Sequence, residues 1–217
     1  MRSIIYILFF LSLSINAYAF NEECINSKEF PFCIYKDSKL DFIILRNEKE
    51  VGWHKVIFEK TSDGFNAITT AYIKARYLLF LDYIFIYSAK SNWVNNQLNS
   101  HEVKIDDDGD EYNISIHKIT EDLLEITDQD NKTITISKNN VLPSEHWHPY
   151  EVKYNTMINT LNGEVIDTKV SKVNDNTWFV DGEVKYYINY DDKGKWTGLK
   201  FNADEDTVIE YLCTNCD

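Results

Sequence analysis

Residues 111–119 read EYNISIHKI. Tyr112, Ile114 and Ile116 fall on one parity, and Asn113, Ser115 and His117 on the other. In an extended chain successive side chains point to opposite faces, so the stretch predicts a strand with one dry and one wet face. Comparable runs recur along the chain: DFIILR (41–46), VGWHKVIFEK (51–60), FNAITTAYIKA (65–75), NQLNSHEVKI (96–105), DLLEIT (122–127) and KTITISK (132–138). GEVIDTKV (163–170), TWFV (177–180), EVKYYINY (183–190), KWTGLKF (195–201) and TVIEYL (207–212) follow. Turn pairs punctuate them at Asp63-Gly64, Asp108-Gly109, Asn162-Gly163, Asp181-Gly182 and Lys193-Gly194. Asn47-Glu48-Lys49-Glu50 reads as a four-residue hairpin connection. Short strands at this spacing predict an all-β domain, an antiparallel meander in a sandwich or barrel. A helical turn is expected only at NTMINTL (155–161) or just before it.

The chain opens with Arg2, an apolar run from Ile4 to Leu13, and Ala17-Tyr18-Ala19. That order predicts a signal peptide, residues 1–19, cut after Ala19. The run is too short to span a bilayer, which takes about 20 apolar residues. The expected compartment is the periplasm or the exterior. Four cysteines suit such a compartment: Cys24, Cys33, Cys213 and Cys216. Three pairings are open, including ones that staple the two ends together; Cys24–Cys33 with Cys213–Cys216 is favoured. Cys213-x-x-Cys216 follows a strand-like run, whereas the redox motif of that spacing works at a helix start. The expected organisation is the signal peptide, a Cys-containing extension over 20–39, and one β domain over 40–217.

The formal charge is −13. So acidic a surface repels phosphate backbones, which argues against nucleic acid as a partner. The run ARYLLFLDYIFIY (75–87) breaks the alternation, with apolar residues on both parities. It predicts either a strand or strand pair buried on both faces, or the wall of an apolar cavity. Asp82 within it needs a partner if buried, and Arg76 is the nearest cation in the run.

Motifs for chemistry are sparse. DDDGDE (106–111) looks like a calcium loop, but aligning Gly109 with its glycine puts Lys104 and Ser115 at the end positions, where carboxylates belong. It reads as a hairpin turn. There is no Gly-x-Ser-x-Gly elbow and no glycine-rich phosphate cradle, so no cofactor is expected. The stretch LPSEHWHPYE (142–151) is the exception. Pro149 pushes His148 toward extended backbone, and in an extended segment His146 and His148 share a face. Zinc there would require a third ligand from His54, His101, His117 or Glu151, none at a telling spacing. A zinc-dependent hydrolase on His146 and His148 is therefore a rival reading, and a structural or protein-docking module a third.

Several pieces taken in order carry a resemblance. They are Gly52-Trp53-His54, then Trp93 with Leu98, then Asp107-Asp108-Gly109 leading into Tyr112. Ser144-x-x-Trp147-x-Pro149 and Leu161-Asn162-Gly163-Glu164 come next, and Tyr190-Asp-x-x-Gly194-x-Trp196-x-Gly198-Leu199-x-Phe201 closes the series. This order resembles an uncharacterised bacterial family of exported proteins, a domain of unknown function, over residues 41–212. The family often has an acid two residues before the tryptophan matching Trp93; here that residue is Ser91. The resemblance implies a curved antiparallel sheet, an open half-barrel similar in outline to the periplasmic lipoprotein-localisation carriers. It places Trp147 as a plug or rim at the open end and gives the two histidines no family-wide role. With the two-faced run it implies an apolar or amphipathic ligand, a lipid or lipoprotein, held by Leu81, Tyr83, Phe85, Trp93 and Trp147.

Overall fold

Hairpins of two residues set the register of the first half of the chain. The computed structural model describes residues 20–78 and 81–216; the expected signal peptide lies outside them. Strand β1 (Lys39–Arg46) turns through Asn47-Glu48 into β2 (Lys49–Lys60). β4 (Leu81–Val94) turns through Asn95-Asn96 into β5 (Gln97–Asp107), and Asp108-Gly109 leads to β6 (Asp110–Lys118). All six turn residues have positive φ, the two-residue geometry whose twist matches paired strands. The connection after β1 is thus two residues, not four, because Arg46 and Lys49 pair across it.

β3 (Gly64–Leu78) and β4 form the longest hairpin, with Ala75 opposite Tyr83 and Arg76 opposite Asp82. The run 75–87 is therefore not one strand. It folds back on itself, and its two parities merge from two strands. Asp82 is exposed, and both Arg76 (Nε–Oδ1 3.1 Å) and Lys74 (Nζ–Oδ2 3.0 Å) meet it. β7 (Leu123–Thr127) and β8 (Thr133–Ser137) extend the meander to one edge.

From β8 the chain does not continue along the sheet. It passes through β9 (Val141–Pro143), a 3-10 turn (Pro149–Val152), β10 (Thr156–Ile158) and β11 (Val165–Asp167), which form a separate three-stranded sheet. β9 and β10 are parallel. It then starts the far edge at β12 (Lys169–Asn174) and returns through β13 (Thr177–Asp181), β14 (Lys185–Tyr190), β15 (Trp196–Asn202) and β16 (Val208–Cys213) to pair with β1. The result is one 13-stranded antiparallel sheet, ordered β12–β16, then β1–β8, with its ends unjoined: an open half-barrel. The run 163–170, expected as one strand, divides at buried Thr168 between the two sheets.

The buried face carries most of the core. Phe42, Val56, Phe58, Phe65, Trp93, Ile116, Ile126, Trp178, Ile188 and Trp196 belong to one apolar cluster. Residues 20–39 are part of it, since Phe20, Cys24, Ile25, Phe30, Ile34 and Tyr35 are buried there. Those residues hold a four-residue helix α1 (Glu22–Ile25) and a disulfide, Cys24–Cys33; a second joins Cys213 to Cys216. Among the described residues no helix is long and apolar enough to cross a membrane.

Candidate functional site

The crossover segment lies against the buried face and fills only part of it. On β3 the inward side chains are Phe65, Ala67, Thr69, Ala71, Ile73 and Ala75, mostly small. Toward the hairpin base, the crossover packs tightly. Trp147 is 1% exposed and has ring contacts with Phe30, Phe58, Phe65 and Trp93. Its carbonyl accepts the Tyr35 hydroxyl at 2.5 Å, and the same tyrosine oxygen accepts the Trp196 N–H at 3.2 Å. Toward the hairpin tip, a hollow of about 360 Å³ remains between β2–β4, the crossover and β14–β16.

Tyr83 and Phe85 line the hollow, with Tyr87 and Ala71. Trp93 and Trp147 stand in the packed half instead, and the side chain of Leu81 lies outside the described residues. Across the hollow stand Tyr186, Leu199, Phe201 and Tyr211, and the crossover adds Ser144, Glu145, His146 and Met157. The alternation of small residues in FNAITTAYIKA is the signal that marks this floor in the sequence. Where β3 presents alanine, its wall leaves the space in front of it open.

Polar groups also line the hollow. Ser144 Oγ accepts the Thr160 N–H at 3.1 Å. Glu145 is buried; its Oε2 accepts the Trp147 indole N–H at 3.1 Å and its Oε1 the Tyr87 hydroxyl at 3.4 Å. Burial, and then the adjacent Glu145 carboxylate, push the Tyr87 phenol well above its usual range. His54 is buried, and desolvation, helped by nearby His146, lowers its pKa to about 3, so the ring is neutral.

His146 and His148 do not converge. His146 has φ +65°, which breaks the alternation that would put both rings on one face. Its Nδ1 lies 2.9 Å from Glu151 Oε1, and the Tyr186 hydroxyl donates to that oxygen at 2.7 Å. His148 is extended, as Pro149 requires, and its Nδ1 accepts the Tyr150 N–H at 3.2 Å at the start of the 3-10 turn. It packs against Phe30 and Trp93, and burial lowers its pKa to about 3. Among the described residues no three His, Cys, Asp or Glu are grouped to hold a metal ion, and the sequence's pair does not form the core of such a site. The acidic loop 106–111 is a hairpin turn, in which Asp106 accepts the Gly109 N–H at 2.8 Å.

An open antiparallel half-barrel, plugged by its own crossover and hollow at one end, defines the class of protein. Residues 42–214 match the family described as a domain of unknown function, DUF6134. The chain belongs to that family. A crystal structure described as a beta-barrel-like protein of domain of unknown function DUF1849 from Brucella abortus is similar with a TM-score of 0.57 at 8% identity, covering 81% of this chain and 94% of that one. At that identity the likeness is one of fold. No curated protein matches the chain.

Proposed function

We propose that this chain is an exported envelope protein that holds an apolar or amphipathic ligand in the hollow beneath the β3–β4 hairpin. The observation that carries this reading is the hollow itself. Its volume, about 360 Å³, falls within the range of small-molecule sites, which are mostly apolar with a few placed polar groups. Its walls have that character: Ala71, Ile73, Phe85, Met157 and Leu199 beside Ser144, Thr160 and Glu145. Removing an acyl chain from water into such a space contributes about 0.8 kcal/mol per methylene. The two disulfides suit an oxidising compartment.

The test is organic extraction and mass spectrometry of protein purified without detergent from envelope material. A long-chain compound should accompany the wild type in near-equal amount and be missing from Ala71→Phe, whose new ring occupies the hollow. Equal recovery from both, or none from either, would overturn the reading and leave a protein-docking scaffold.

A further inference from the structure

The hollow is electrostatically one-sided. Six aromatic residues stand in its walls: Tyr83, Phe85, Tyr87, Tyr186, Phe201 and Tyr211. Two carboxylates, Glu145 and Glu183, line it, and among the described residues no Lys or Arg does. Glu145 is 5% exposed, and among the described residues its carboxylate accepts hydrogen bonds only from neutral donors, the Trp147 indole and the Tyr87 hydroxyl. The His101 ring is 4.0 Å away, beyond hydrogen-bond distance, and burial lowers its pKa, so it supplies no lasting positive charge at neutral pH. A buried carboxylate without a cation is costly, and a cation beside it offsets part of that cost.

Three of the lining residues also carry buried polar atoms without a partner. His54 Nε2, Thr69 Oγ1 and Thr168 Oγ1 are buried, belong to lining residues, and make no hydrogen bond among the described residues. His54 is opposite Ala71 and Thr69 opposite Val56, so His54 and Thr69 are diagonal neighbours on one face. A threonine hydroxyl and a neutral imidazole can each accept an N–H.

We propose that the hollow takes a cationic amphiphile, a primary ammonium on an apolar chain, with the ammonium between Glu145 and the tyrosine faces and the chain along Ile73 and Phe85. This rests on the ligand-binding reading above and narrows it. Aromatic faces attract an ammonium through the ring quadrupole. The free N–H groups distinguish a primary ammonium from a quaternary one, because only the former can donate a hydrogen bond to the Glu145 carboxylate. An anionic chain would bring its charge beside Glu145 with no lysine or arginine among the described lining residues to receive it. The net charge of −13 raises the local concentration of cations around the protein.

The experiment is calorimetric titration of the intact mature protein with four twelve-carbon probes below their micellar concentrations: dodecylammonium, dodecyltrimethylammonium, dodecanol and dodecanoate. Dodecylammonium should bind about tenfold more tightly than dodecanol and more tightly still than dodecanoate, with the trimethyl probe between the first two. Glu145→Gln should weaken dodecylammonium by about tenfold and leave dodecanol unchanged. Glu183→Lys, at an exposed rim position, should weaken the ammonium and strengthen dodecanoate without disturbing the core. Dodecanoate binding as tightly as dodecylammonium, or affinities indifferent to both substitutions, would overturn the charge preference while the hollow remained a ligand site. Failure of all four probes would overturn both readings.

Discussion

The same two strands, β3 and β4, build two very different spaces. At the base of the hairpin, Phe65, Ala67, Ser91 and Trp93 face Phe30, Phe58 and Trp147. There the crossover and the N-terminal segment supply the bulk that Ala67 lacks. At the tip, Ala71, Ile73 and Phe85 face the hollow, which Met157, Thr160 and Ile166 of the crossover also line. Small residues on a strand thus make core or cavity according to what lies opposite. Glu145 stands at the boundary, with one oxygen toward Trp147 and the other toward Tyr87.

The largest expected effect breaks the packed half. Trp147→Ala should cost about 3–5 kcal/mol, the range for a buried aromatic whose neighbours cannot collapse into the gap. Phe85→Ala, half-buried against the hollow, should cost less than about 2 kcal/mol, since its ring has fewer partners to lose. Urea unfolding of both variants measures the contrast, and equal losses would erase the distinction between the halves.

A sharper comparison uses one strand face. Ala67→Leu pushes into the aromatic cluster and should destabilise by about 1–3 kcal/mol, the cost of overpacking. Ala71→Leu, four residues on, enters free space and should change stability by less than about 1 kcal/mol. Unfolding midpoints of the pair give the answer. If Ala71→Leu costs as much as Ala67→Leu, the hollow is not available space.

Acid provides a third separation. His148 in the packed half has its folded pKa depressed to about 3 from 6.5. As pH falls through 6.5 the unfolded chain gains a proton that the folded chain refuses. The contribution is therefore complete above 6.5 and lost progressively toward 3. Between pH 7 and pH 5 it amounts to about 2 kcal/mol. His148→Gln, which does not titrate, should lose that much less stability than wild type over the same interval. His54, lowered to about 3 beside the hollow, follows the same sign.

Strand identity was readable because alternation survives wherever one face is wet, as in β6, where Ile114 and Ile116 are buried and His117 is exposed. Turn sites were readable from Asn, Asp and Gly pairs. The pairing of cysteines followed the favoured option, near neighbours in both cases. The crossover was not readable, because its three strands are three residues each and carry no period. Nor was the parting of His146 from His148, which depends on a positive φ at a histidine that no local residue type announces. Of the expected ligand residues, Tyr83 and Phe85 reach the hollow. The tryptophans do not, because ring size favours the place where opposing elements are densest. The floor of small residues is hard to read for the complementary reason: an alanine alternation is a weak strand signal, whereas its importance is the volume it leaves.

The pairing of β1 with β16 governs when the molecule can be finished. Asp41 and Asn215, joined by a hydrogen bond across that pairing, are 174 residues apart in sequence. Strands β1–β8 link neighbour to neighbour and can zip in order from β1, but the wing β12–β16 can attach to β1 only once β16 is available. Closure across so long a loop is entropically late. Until then β1 presents an unpaired edge, and a chain released early would have its central strand open to strangers.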